Sequence, residues 1–290
     1  MKKIRNLLIS YLVLIFYKLF KNTPYKLNVV IGRIIGSIFY HFDFRYKYLT
    51  YKNISYIFPK YNYKQILKLS KNCYKNLGQN LMEFFLLERV KFIYKKLVDF
   101  PQEDKEILLN LYNNGKGVII FSAHFSNWEL LGCCLAVEKF PISVVARKFY
   151  ISSINAIIEK IRTSVGEIII GRGGQSSIKL LIKSLKNKNL IGVLIDQNIK
   201  NVKNINVEFL GKISPTPVSF IEMAVKYNIP SVVGLIIREK SKYKVRIIPI
   251  DSSYYNDPIE FTRYINSIIS DYIYKYPEQW TWVHNRWSLV

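Results

Sequence analysis

The apolar positions of the chain change period along its length, and each period predicts a different kind of element. The opening, "MKKIRNLLISYLVLIFYKLFKNTPYK", holds an apolar run from Leu7 to Tyr17, extended to Phe20 across Lys18. The next stretch, "LNVVIGRIIGSIFYHF" (Leu27 to Phe42), carries Gly32, Arg33 and Gly36 among apolar residues and reads as a packed helix. From about Tyr46 to Val98 the period is helical, rich in Lys and Tyr, and broken at Pro59 within "NISYIFPK". After Pro101 a short helix leads to a different pattern of short β-branched runs. These are Gly117 to Phe121, Pro141 to Arg147, Gly166 to Ile170, Asn189 to Asp196, Ile229 to Glu239 and Tyr243 to Ile250. Helical patterns such as "SSINAIIEKIRTSV" and "SSIKLLIKSLKNK" separate several of them. Continuous apolar strands alternating with helices predict an α/β fold, with a mixed, largely parallel sheet covered by helices on both faces. The expected division is a hydrophobic helix over 1–25 and one domain over 26–290, helical to 100 and α/β from 101 onward. Neither an internal repeat nor a low-complexity linker interrupts it.

The first helix is short for a membrane span. The fourteen residues from Leu7 to Phe20 reach about 21 Å at roughly 1.5 Å each, against ~30 Å of hydrocarbon. It lacks the small-residue cleavage site of a signal peptide. It reads as an uncleaved helix that inserts obliquely or lies in the interface, with basic residues at both ends near anionic headgroups. A core helix of a soluble domain is the alternative.

Composition narrows the partners. Half of the 290 residues are apolar and 15% are aromatic, which excludes a disordered chain. The 43 basic residues against 20 acidic ones give a formal net charge of +23. Part of this excess goes with a chain rich in Lys, Asn, Ile and Tyr together. The rest points to nucleic acid, an anionic membrane surface or acidic ligands. Cys73, Cys133 and Cys134 have no Cys-x-x-Cys spacing, so they build no zinc or redox motif and predict a reducing compartment.

The stretch richest in chemistry is "GVIIFSAHFSNWELLG" (Gly117 to Gly132). His124 directly follows the first strong strand, at the end where open α/β sheets place ligands. Ser126 to Glu129 reads Ser-x-x-Glu, a capping box that would use Glu129 on backbone N–H groups. Alternatively the turn carries Glu129 back beneath His124, where a carboxylate fixes the imidazole tautomer.

"SAHFSNWE" resembles the His-x-x-x-x-acid motif of the glycerolipid and lipid A acyltransferases, and its Asn-Trp-Glu ending resembles the bacterial lipid A branch, the late (lauroyl/myristoyl-type) enzymes. Further blocks resemble that family in order: "NISYIFPK", "VVARKF", "LIGVLIDQN", "VEFLGKISPTP" and "YPEQWTWVHNRW". The agreement runs from about Leu27 to Trp287. The chain departs from the family where Ser126 and Ala123 replace usual glycines, and where Asn285 and Ser288 replace basic residues.

The resemblance implies a membrane-associated O-acyltransferase on the cytoplasmic face of the inner membrane. It would move an acyl chain from an acyl carrier protein or coenzyme A thioester to a hydroxyl of a phosphorylated glycolipid, a lipid A precursor. His124 is the expected general base and Glu129 its support, with no acyl-enzyme. Asn127, Arg147, Arg172, Asp196 and Gln197 are the candidate substrate-binding residues. Arg147 suits either the oxyanion or an acceptor phosphate. Arg172, in "GRGGQSS", precedes a helix that either binds an anion or is an ordinary turn. Asp196 and Gln197 either shape the site or anchor a loop, and His284 packs among Trp280, Trp282 and Trp287. No metal or cofactor is implied. Acylation of another glycolipid or a lysophospholipid is the nearest alternative. A basic nucleic-acid- or membrane-binding protein without activity is the alternative from another class, but no nucleic-acid module is present.

Overall fold

The computed structural model describes residues 2–173 and 175–288. The helices α1 (Lys2–Phe20), α2 (Tyr25–Phe42), α3 (Phe44–Ile57), α4 (Tyr63–Phe84) and α5 (Leu87–Leu97) precede the main sheet. Pro59 breaks the pattern as its missing N–H requires: α3 stops at Ile57. The chain restarts behind a capping box in which Gln65 N donates to Asn62 Oδ1 (3.0 Å) and Asn62 N to Gln65 Oε1 (2.8 Å). Helices α2 and α4 touch backbone to backbone. A Cβ on Gly36 would stand 2.1 Å from the Tyr74 carbonyl oxygen, so the glycines of the second apolar stretch serve close packing.

Helix α1 docks through Leu14, Tyr17 and Phe20, with the Tyr17 hydroxyl donating to Glu88 Oε1 at 2.7 Å. Its other face, with Leu8, Leu12, Ile15 and Leu19, is exposed, as are Leu27, Ile34 and Phe42 on α2. No helix among the described residues is long and apolar enough to cross a membrane.

The remaining elements alternate as the apolar runs predict. They are β1 (Val98–Asp99), α6 (Gln102–Asn113), β2 (Val118–Ser122), α7 (Trp128–Val137), β3 (Ile142–Ala146), α8 (Ser152–Ser164), β4 (Ile168–Gly171), α9 (Gln175–Lys186) and β5 (Leu190–Leu194). There follow β6 (Asn204–Phe209), β7 (Lys212–Pro217), α10 (Ser219–Tyr227), β8 (Ser231–Glu239), β9 (Lys242–Pro249) and α11 (Pro258–Lys275). Strands β6 and β7 form a separate hairpin that the strand-run reading did not mark. Leu210 and Gly211 at its tip both have positive φ (52° and 70°), as a two-residue turn of type I′ requires.

The seven-stranded sheet has the order β1-β9-β8-β2-β5-β3-β4, parallel throughout except at the β8–β9 hairpin. Alternate residues of β2 face opposite layers. Val118 and Ile120 enter the core with α5 to α8, whereas Ile119 and Phe121 enter the core with α3, α4, α10 and α11. After β2 the chain moves out to β3, whereas after β5 it crosses to β8 on the far side of β2. The connections of two neighbouring strands therefore leave in opposite directions and open a crevice at their carboxyl ends.

Candidate active site

Strand register places His124 and Asp196 together. Ser122 on β2 lies opposite Leu194 on β5, and each strand runs on two residues to His124 and Asp196 respectively. Ile195 N donates to Ser122 O at 3.1 Å and His124 N to Asp196 Oδ2 at 2.9 Å. The imidazole Nδ1 is 2.8 Å from Asp196 Oδ1. Asp196 is fully buried, while the His124 side chain keeps 23% of its exposure. Burial opposes ionisation of Asp196. The His124 charge and the hydrogen bonds from His124 and Trp280 outweigh it and hold the carboxyl below its ordinary range. The Trp128 ring meets the imidazole edge to face at 5.1 Å.

The C-terminal segment holds the His124 turn from behind. Ser126 N donates to Gln279 O at 2.7 Å, and Thr281 N and Oγ1 donate to His124 O at 3.1 and 2.9 Å. Phe125 and Trp280 form an antiparallel bridge, and Trp280 Nε1 donates to Asp196 Oδ2 at 2.7 Å.

Two expectations for the turn change. Ser126 does not cap the helix: it adopts φ 51°, and the cap is Asn127, whose side chain accepts from Leu130 N at 3.0 Å. A left-handed residue cannot hold the extended geometry of a cap, so the Ser-x-x-Glu box is not formed. Nor does Glu129 reach back to His124. Its two oxygens accept from Arg162 of α8, Nε to Oε2 at 2.9 Å and Nη2 to Oε1 at 2.6 Å, with Trp128 Nε1 on Oε1 at 3.2 Å. A fork donor binding both oxygens outcompetes an imidazole that already has Asp196. The carboxylate on the imidazole is Asp196.

The candidate substrate-binding residues separate in space. Asn127 is buried and has both ends engaged, its Nδ2 donating to Glu83 Oε2 at 2.8 Å. Arg147 and Arg172 follow the adjacent strands β3 and β4 and are exposed. Neither pairs with a carboxylate among the described residues, and partial burial and the Arg147 charge push the Arg172 pKa down. Gly174, within the proposed anion loop, lies outside the described residues; next to it, Gly173 has φ 89° and accepts from Ser177 Oγ at 2.6 Å. Gln197 is half-buried beside Asp196. His284 Nε2 donates to the Asn198 carbonyl at 3.1 Å, and burial lowers its pKa. Burial pushes the Cys133 thiol up to about 12, which leaves it a packing residue of α7.

The family match covers nearly the whole chain: the model for bacterial lipid A biosynthesis acyltransferases spans residues 2–288. The chain belongs to the bacterial lipid A biosynthesis acyltransferase family. It is similar to the lipid A biosynthesis palmitoleoyltransferase of Escherichia coli (strain K12), 22% identical over 284 residues, which cover 91% of this chain and 86% of that protein. The lipid A biosynthesis acyltransferase of Shigella flexneri matches to the same extent, 22% identical over 284 residues. Membership assigns acyl transfer in lipid A synthesis to the chain.

In this acyltransferase, several residues around the site gave no sequence signal. Glu83, at the end of α4, accepts from the Tyr25 and Tyr243 hydroxyls, both at 2.6 Å, as well as from Asn127. Arg238 on β8 ties Glu83, Asn76 and Asn80 together, and Asn80 donates to the Ser126 carbonyl. These groups are buried polar residues that satisfy one another, and they brace the turn from the α4 side. Arg286, fully buried, spans Pro215 O and Thr216 Oγ1 and lies over the Phe209 ring at 4.7 Å. Only the packing of distant segments makes such partners visible.

Proposed function

We propose that the protein transfers an acyl chain from an acyl thioester to a hydroxyl of a lipid A precursor, with His124 as general base and Asp196 as the carboxylate that orients it. The observation that carries this reading is the committed Nδ1 edge. With Nδ1 bound to Asp196 Oδ1 at 2.8 Å, the ring keeps Nε2 for chemistry. Nε2 takes the proton of the acceptor hydroxyl as its oxygen attacks the thioester carbonyl. The tetrahedral intermediate then expels the thiolate, which leaves with the proton from the imidazolium. Asp196 stabilises that imidazolium as it forms. Amide N–H groups at the start of α7 and the Arg147 guanidinium are the donors on offer for the oxyanion.

Arg147 and Arg172, two like charges at neighbouring strand ends without an acidic partner among the described residues, suit an anionic group of the acceptor. Glu129 acts at one remove: its pair with Arg162 fixes α7 against α8 beneath the His124 turn. Gln197 lines the same crevice. The donor in this reading is an acyl carrier protein, whose acidity matches the +23 charge of the chain. The exposed apolar faces of α1 and α2 rest in the interface of the cytoplasmic leaflet rather than spanning it.

The test is acyl transfer from labelled acyl carrier protein to a Kdo-bearing tetraacylated lipid A precursor in detergent micelles. Wild type is expected to transfer, and folded His124→Ala to lose about a thousandfold or more in kcat. Full activity without His124 sinks the mechanism. Transfer only to a simpler lipid keeps the chemistry and removes the acceptor.

A further inference from the structure

We propose that Trp280 is a positioning residue of the active site, whose indole N–H fixes the Asp196 carboxylate so that a single oxygen faces His124. This rests on the reading of His124 as the base. A free carboxylate rotates and offers either oxygen to its partner. Here Oδ2 carries two donors, Trp280 Nε1 at 2.7 Å and the His124 backbone N–H at 2.9 Å. Oδ1 is left for the imidazole alone, at 2.8 Å.

Trp280 is itself held rigidly. It is 1% exposed, and its ring lies against Trp282 (4.7 Å, 84°), Phe209 (5.5 Å) and Trp287 (5.9 Å). Its neighbours bind the other side of the pair, since Gln279 O accepts from Ser126 N and Thr281 donates twice to His124 O. One short segment therefore grips both the base and the acid that orients it. A Phe at Trp280 keeps an aromatic ring in the core but is smaller than the indole, and it leaves Oδ2 one donor short inside a buried site; Trp287→Phe loses the same volume without that donor. Removing a group that only orients another lowers kcat while leaving substrate binding nearly unchanged.

Trp280→Phe removes the N–H and keeps an aromatic ring. Trp287→Phe is its control, because Trp287 belongs to the same cluster but its Nε1 has no partner among the described residues. The readouts are kcat, KM and the low-field NMR resonance of the His124 Nδ1 proton. Trp280→Phe is expected to lower kcat about tenfold or more, with KM within about twofold, and to displace that resonance. Trp287→Phe should do neither, and adding Trp280→Phe to Asp196→Asn should change kcat no further. Equal effects of the two tryptophan variants, or an unmoved resonance in Trp280→Phe, overturn the proposal. Should Trp280→Phe not fold, the wild type decides. Its Trp280 indole N–H signal must follow the titration of the His124 ring protons, and an indifferent signal overturns the proposal. A wild type that transfers nothing counts against the acyl-transfer reading, while the resonances still judge Trp280.

Discussion

Two carboxylates flank the His124 turn, one delivered by the sheet and one by a helix, and they do different work. Asp196, from β5, faces an imidazole whose charge can change. Glu129, from α7, faces Arg162, whose charge cannot. The nearer carboxylate in sequence is thus neutralised by a permanent cation, and the one 72 residues away pairs with His124. Proximity along the chain sets the motif; register and donor geometry set the partnership.

Neutral isosteres separate the two most sharply. Asp196→Asn is expected to lower kcat about a thousandfold, since an amide no longer stabilises the imidazolium and favours the wrong tautomer. Glu129→Gln is expected to act mainly on the fold. It leaves Arg162 with a weakened partner at 15% side-chain exposure, at a cost of roughly 3 kcal/mol, with less than a tenfold loss in kcat of the folded fraction. Denaturant melts beside single-turnover rates measure both; reversed rankings would return the catalytic role to Glu129.

A further buried acid, Glu167, stands just before β4 and against α7. Glu167 is 4% exposed, its Oε1 without a hydrogen bond among the described residues, and it fills the space over Gly132, where a Cβ would stand 2.5 Å from that oxygen. Burial, then the Glu129 charge, push its pKa from 4.5 up to about 8 against the opposing pull of Arg162. The folded state therefore holds a proton that the unfolded state releases. The stability this group contributes is complete below pH 4.5 and is lost as pH rises toward and through 8. Melting temperature should decline across that window, by on the order of 1 kcal/mol of stability per pH unit. Glu167→Gln, which does not ionise, should flatten the decline; an unchanged slope would locate the titration elsewhere.

The smallest effect lies in the turn between the two carboxylates. Ser126 sits at φ 51° with its hydroxyl buried and unpartnered among the described residues. Ser126→Gly relieves both and should stabilise the protein by about 1 kcal/mol, seen as a melting temperature a few degrees higher. The positive φ is the physical reason glycine, which the family resemblance leads one to expect, suits this position; nothing in the structure explains the serine.

Much of this was legible in the residues. The β-branched runs marked the main strands, the alternating helices implied a largely parallel sheet, and His124 at a strand end marked the crevice. Asp196 drew notice as a polar residue ending an apolar strand, but nothing local named its partner. The Ser-x-x-Glu pattern pointed to a cap because propensity was read without the left-handed φ of Ser126. Arg162 and Glu167 carried no pattern of their own, since their partners arrive from other elements. Trp280 read as packing because an indole N–H is silent until an acceptor stands before it.

The sequence by itself determined the layers, the strand that carries His124 and the family to which the chain belongs, because periodicity and local motifs act over a few residues. Only the tertiary structure decided which acid pairs with His124, which pairs with Arg162, and that the C-terminal segment holds both His124 and Asp196. Hydrogen bonds between side chains depend on distances of a few ångströms, and those distances follow from strand order and register. β5 entering the sheet beside β2 brings Asp196 to His124, and α8 carries Arg162 within reach of Glu129 at the start of α7.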